Sequence, residues 1–376
     1  MQTRWSFLLV LSAIGCASSP TASTEQTQPA LVTATVTAEP VASTSSSADV
    51  GAKPVAPNMM RTSAFGCPLA ISLEADKRQF TAGEPVFLSF TVSTTCERTV
   101  NVIDGGDYRN RFGRPESYNL SALGNDGSII DPIDVGPQFG GLMGPRAVKP
   151  TEPFVKRLLV AHWLTFDKPG RYTIRVEKTL SIGQPADRDM KALQEVPAKL
   201  AIDVDVLPAS NVALGAVIYE LGARLLETGE RAEEAERALS MVQDERVVAH
   251  YVKAMKQAKP GSSFGHSAIW VLKAFATDEA FKALEDALSD SSLHLAAAQA
   301  ISESKHPKAF EKLWSLRHDK DPNVRLTVVH ELGKRDDADS TKKLNLMLQD
   351  VDALVHQEAQ RYLSERKKKG PSRNPR

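Results

Sequence analysis

The sequence predicts a multidomain β + α chain, an antiparallel β-sandwich over residues 63–207 followed by an α-helical solenoid over residues 208–366. Three observations predict it. Between Leu69 and Val206, apolar residues alternate with a period of two in short runs punctuated by Gly and Pro, as half-buried strands do. After the LeuProAla of residues 207–209 the apolar period becomes helical, and Ala, Leu, Glu and Lys take over. Within this second half a pattern recurs about every 31 residues, the mark of stacked helix pairs that cannot cover their apolar stripes alone. A length of 376 residues also points to two domains or more.

Composition narrows the function classes. Lys and Arg total 46, as do Asp and Glu, so the formal net charge is zero. A global nucleic-acid binder would be basic, and no nucleic-acid partner is expected. No apolar run after the first fifteen residues approaches the length of a membrane span.

Residues 1–15 read as a targeting segment. Arg4 supplies a positive start, and residues 5–15 form an apolar run of about eleven residues, short of the ~20 that cross a bilayer. The AlaIleGlyCys of residues 13–16 resembles the lipobox of bacterial lipoproteins, with small Ala13 and Gly15 before the cysteine and Ala13 standing where Leu is usual. The resemblance implies cleavage before Cys16, a thioether diacylglycerol on its sulfur and an acylated amine. Ala17 in place of Asp implies sorting to the outer membrane. At ~0.8 kcal/mol per buried methylene, two or three acyl chains make a lasting anchor. The alternative is an ordinary secretory signal in which Cys16 is incidental. Residues 16–62 then form a tether of Ser, Thr, Ala and Pro without an aromatic residue, unable to bury enough apolar surface to offset chain ordering. Its role is reach, on the order of 5–6 Å times the square root of its length. A glycosylated stalk is the other reading.

In the sandwich, Leu69, Ile71 and Leu73 share one face, as do Val86, Leu88, Phe90 and Val92. Folded antiparallel about residues 81–82, the two runs bring Cys67 opposite Cys96. A Cys67–Cys96 disulfide is therefore expected at the open end of a hairpin, with two buried free thiols as the alternative. Further strands are expected over 99–103, 118–123, 154–164, 171–176 and 199–206. GlyGluPro at 83–85 and ProGlyArgTyrThrIle at 169–174, with Tyr172 opening a late strand, resemble the immunoglobulin-like module of bacterial exported proteins, which bacterial proteinase-inhibitor domains share. That resemblance spans about 140 residues and marks fold more than function.

Two loops interrupt the strands. Asp104 and Asp107 in the first could contribute to a calcium site, but the spacing is not that of an EF-hand and its terminal Glu is missing. The Gly-rich stretch at 134–145 lacks the GlyLysSer/Thr of a phosphate cradle. His162 lies in an apolar run without a Cys or His partner, so no metal is expected.

In the solenoid, Asp290, Asp321 and Asp352 align, as do Leu293, Val324 and Val355, then Ala297, Val328 and Ala359, and Ile301, Leu332 and Leu363. The preceding helices align through Leu284, Leu313 and Leu344. Each Asp is placed to cap a second helix, and Pro322 suits helix entry. Small Ala296, Ala297, Ala298 and Ala300 permit close helix approach. Residues 321–332, with Val324 and Arg325, resemble the HEAT repeat. Three to four repeats are expected over 244–366, capped by a helical pair over 210–242. His250, His330 and His356 lack metal-binding spacing and read as solvated or half-buried. The basic tail at 367–376 reads as a frayed end, or else as a contact for an anionic envelope surface.

No nucleophile elbow, paired Cys/His or zinc-ligand spacing is present, so no catalytic residue and no cofactor are expected. The expected protein is a non-catalytic binding or scaffold module held to the membrane through lipid on Cys16, with a protein partner in the cell envelope. The rival expectation is an inhibitor of an exported hydrolase acting through the sandwich loops.

Overall fold

A computed structural model describes residues 58–105, 118–132, 143–166, 168–185, 191–258 and 263–369. The targeting segment, Cys16, the tether up to residue 57, Asp107, most of the Gly-rich stretch and the tail beyond residue 369 lie outside the described residues.

The N-terminal region is built of strands: β1 Met59–Ala64, β2 Cys67–Ala75, β3 Gln79–Thr81, β4 Phe87–Thr94, β5 Val100–Gly105, β6 Asn119–Gly124, β7 Ile129–Ile130, β8 Met143–Val148, β9 Phe154–Leu159, β10 Gly170–Gly183 and β11 Gln194–Leu207. They form two sheets. One has the order β1-β2-β4-β9; the other runs β3-β11-β10-β5-β8, with β6 on β10 and β7 on β6. Ile71, Leu73, Phe90 and Val92 of the first sheet share one buried cluster with Leu120, Ile174, Val176 and Ile202 of the second.

Alternation sets the register. Leu69 faces Thr94 and Ala75 faces Leu88 across β2 and β4, and a slip of one residue would turn Leu69, Ile71 and Leu73 out of the core. The connection between these strands is not the simple hairpin turn expected. Between them β3 crosses to the other sheet, pairing parallel to β11 with Thr81 opposite Leu207. Phe80, at its centre, is buried there. Gly83 then turns the chain back at φ +85°, a conformation that suits glycine. Three further expectations need correction. The tether does not run to residue 62, because β1 already pairs with β2, Met60 opposite Ile71. The strand expected over 154–164 stops at Leu159. Val160–His162 is a single 3-10 turn, held by Val160 N–H on Val86 O at 2.9 Å and by the Trp163 indole N–H on Tyr118 O at 3.1 Å. Finally, β8 carries a Pro and no alternation, yet it pairs along β5.

The C-terminal region is helical: α1 Asn211–Arg224, α2 Glu230–Ser240, α3 Arg246–Gln257, α4 Ser263–Leu272, α5 Asp278–Ala287, α6 His294–Glu303, α7 Ala309–Ser315, α8 Pro322–Lys334, α9 Ala338–Met347 and α10 Ala353–Lys369. α6, α8 and α10 pack successively; α6 also packs on α5, α10 on α9, and α8 on the 3-10 turn Leu316–His318 that follows α7. Their aligned residues Ala297, Ile301, Val328, Leu332, Val355 and Ala359 lie in one continuous buried cluster. Asp321 caps α8 by accepting from Asn323 N–H at 2.8 Å, with Pro322 in the first turn. Asp352 caps α10 through Leu354 N–H at 2.9 Å. Asp290 makes the same bond two residues on, but it opens a turn and not the helix itself. Ser291 and Ser292 stand where Pro322 follows Asp321, Ser292 takes the Asp290 carboxylate through its N–H and hydroxyl, and α6 starts only at His294. The last helix runs to Lys369, three residues past the expected end of the solenoid.

Gly333 of α8 lies against α10, and a Cβ added there would overlap the Tyr362 ring. Gly333→Ala is therefore expected to destabilise by about 1–3 kcal/mol through overpacking, against an opposing gain of about 1 kcal/mol in helix propensity. Urea unfolding checks this, and a Tyr362→Ala background should remove the penalty.

Candidate functional site

The chemistry of the helical region is concentrated where one repeat meets the next. His294, at the start of α6, reaches back through Nδ1 to Leu288 O at 2.6 Å and forward through Nε2 to Asp319 Oδ2 at 3.0 Å. One repeat later, Arg325 of α8 donates to Asp319 O at 2.7 Å. It also grips Asp350 with two parallel bonds, Nε to Oδ2 at 2.7 Å and Nη2 to Oδ1 at 2.8 Å. His356 of α10 continues the series, with Nδ1 2.5 Å from Leu348 O. Each side chain thus fastens the turn before it, and the first two also hold the acid of the following repeat. Asp319 and Asp350 in turn accept from the N–H of the next helix caps, Asp321 and Asp352, both at 2.9 Å.

The Arg325–Asp350 rung is nearly dry, with side chains 10% and 7% exposed. The guanidinium beside it holds the Asp350 carboxyl below the usual carboxylate range, and Asp350 raises Arg325 in return. The sequence carried this signal: His294, Arg325 and His356 fall directly after the aligned Leu293, Val324 and Val355, while Asp319 and Asp350 repeat at the same interval. Reading only the apolar positions and the caps missed it.

A second constellation joins the strands to the helices. Arg157 of β9 makes two bonds to Asp76 at 2.6 and 2.7 Å, one to Ser89 at 2.7 Å and one to Glu234 of α2 at 2.7 Å. It lies over the Phe87 ring. Bonding to Asp76 and to Glu234 pushes its pKa upward. Phe87 and Leu159 belong to the same buried cluster as Ile218 and Leu221 of α1. The Thr81 hydroxyl donates to Pro208 O and accepts from Ser210 N–H, both at 3.1 Å. The last strand and first helix are thereby pinned to the β2–β4 connection.

The residues singled out from the sequence are dispersed. Cys67 and Cys96 are joined by a disulfide with Cα atoms 5.3 Å apart, linking the start of β2 to the chain beyond β4. Asp104 is engaged by Lys156 at 2.9 Å. Tyr172 donates to Lys168 O at 2.7 Å. His250 packs edge-on to Tyr219 and His330 edge-on to Tyr362, and burial lowers the pKa of both. His306, not singled out from the sequence, is buried, stacked on Phe281 at 4.1 Å with Nε2 3.1 Å from Asp278. Among the described residues no group of three or more His, Cys, Asp or Glu is placed to hold a metal. No helix among them is long and apolar enough to cross a membrane.

A family model described as HEAT repeats matches residues 289–364, covering α6 to α9, most of α10 and both rungs of the ladder. The chain matches no curated protein. The molecule thus combines an N-terminal β-sheet region with a C-terminal HEAT-like repeat region, an architecture consistent with protein–protein contact.

Proposed function

We propose that this chain is a non-catalytic protein-binding module of the bacterial cell envelope, tethered to the outer membrane by lipid on Cys16, with the helical repeats as the partner-binding surface. The observation that carries the reading is the HEAT repeats match over residues 289–364, on helices stacked through a shared core and a polar ladder. Stacked repeats offer an extended surface that no isolated helix pair could hold in shape. The Cys67–Cys96 bridge supports export to an oxidising compartment. The N-terminal region is read as an immunoglobulin-like sandwich, supported by two sheets around one core and by the Tyr172 hydroxyl bonded four residues upstream.

Cys16→Ser tests the anchor: the full-length variant should leave the membrane fraction, and its retention there after a salt wash would refute lipidation. Photo-crosslinkers at exposed helical positions, such as Leu346 and Leu354, test the binding surface. They should trap a discrete envelope protein, and trapping only from the β-sheet region would contradict the assignment.

A further inference from the structure

The outer face of α1, the first helix of the stack, is apolar, where a helical stack ends on a polar face. Inward, Ile218, Leu221 and Leu225 are buried, with Leu214 and Val217 packed beside them. Outward, Val212, Ala216, Tyr219 and Ala223, with Leu226 in the turn that follows, are all exposed, Val212 by 85% and Tyr219 by 73%. Successive members are four, three, four and three residues apart, the a/d spacing of a coiled-coil seam. A helix that is apolar all round is ordinarily covered all round. The two borders of the seam differ in charge. On one side α3 packs on α1, and its Arg246 and His250 close over Gly215 and Gly222, where an added Cβ would overlap them. Arg246, His250 and Lys253 form one row along α3, at spacings of four and three residues, with Arg246 and Lys253 exposed. On the other side stand exposed Glu220 and Glu227, each directly after a seam residue. Arg224 and Arg231 pair with these acids one turn on, and Asp244 pairs with Arg246; such exposed pairs are weak and leave the charges open to other partners. The Tyr219 ring, at the middle of the seam, meets His250 edge-on with centroids 6.2 Å apart.

From this geometry we infer that α1 is a homodimerisation helix. Its exposed seam is covered by the α1 of a second copy, lying parallel about a two-fold axis, with Glu220 and Glu227 of each chain beside Arg246 and Lys253 of the other. The a/d spacing calls for a helix as the occupant, and the charges choose which helix and which direction. In a parallel two-fold pair the acidic border of each copy meets the basic border of the other, whereas an antiparallel pair sets acid against acid and base against base, which is costly. A two-fold contact uses one self-complementary patch, and this patch carries both signs. Tyr219, a large exposed aromatic at the centre, is the expected anchor. The dimer is separate from the partner surface proposed for the repeats, and either can hold without the other.

The test uses the full-length chain carrying Cys16→Ser, which removes the one thiol outside the Cys67–Cys96 bridge. Sedimentation velocity should show a monomer–dimer equilibrium with a dissociation constant of about 1–100 µM, as suits a small interface. Tyr219→Lys should weaken association at least about tenfold. The melt of the dilute monomer should stay unchanged, because Tyr219 is a surface side chain. Lys253→Glu should weaken association about threefold at low salt, and adding Glu227→Lys should restore it, since each reversed charge again meets its opposite. Direction is read by mild oxidation. Val212→Cys alone should crosslink into a covalent dimer, because like seam positions face each other in a parallel pair. In an antiparallel pair centred on Tyr219, Val212 would meet Leu226, and only a mixture of Val212→Cys and Leu226→Cys chains would crosslink. That result, a chain still monomeric at about 0.5 mM, or a dimer indifferent to Tyr219→Lys would overturn the assignment.

Discussion

Asp350→Ala is expected to cost the folded chain about 3–5 kcal/mol, because it strands the buried Arg325 guanidinium without its carboxylate. The loss comes from an uncompensated charge more than from the worth of the pair. Replacing both partners together, Arg325→Met with Asp350→Leu, should therefore recover most of the stability. Asp286→Ala is the matched control. Its partner Lys282 lies one turn away at the surface, and no measurable change is expected. Urea unfolding followed by circular dichroism reads all three. The rung also has a pH signature. The folded Asp350 carboxyl lies below its usual range, so its contribution is complete above the unfolded pKa of about 3.9 and is lost as pH falls through the folded value. That part of the acid sensitivity should vanish in Asp350→Ala.

Reducing the Cys67–Cys96 bridge, or replacing both cysteines with Ser, is expected to destabilise the β-sheet region by about 3.5 kcal/mol. The bridge closes a loop with a sequence separation of 29, and the chain-entropy relation gives that magnitude. It also keeps the ends of β2 and β4 together beyond their last paired residues, Leu69 and Thr94. Both thiols should resist alkylation until reductant is added. Equal labelling with and without reductant would refute the bridge.

Where the fold follows from side-chain period, the sequence was legible. Period-two runs located β2, β4, β6 and β10, and the fold-back about residues 81–82 reproduced the pairing of Leu69 with Thr94. The repeat spacing located α6, α8 and α10, and capping chemistry named Asp321 and Asp352 correctly. Where position depends on distant partners, it was not. β3 is a three-residue strand whose place is set by β11, more than a hundred residues away. β8 carries Met, Gly and Pro and is held as a strand by pairing to β5. Asp290 accepts from Ser292 N–H just as Asp321 does from Asn323 N–H, yet without a proline after it the chain first makes a turn and α6 begins only at His294, a difference that alignment with Asp321 conceals. The ladder was half visible: Arg325 stood out beside Val324, while its acid lies 25 residues on, across a turn whose geometry no periodicity describes.

Hydrogen exchange on the full chain, with and without its crosslink-identified envelope partner, tests the central claim most directly. Slowed exchange on the repeat helices α6, α8 and α10, with the strands β1 and β5 unchanged, is the expected result. Slowed exchange confined to the strands, or none on any helix at saturating partner, would contradict a helical partner-binding surface.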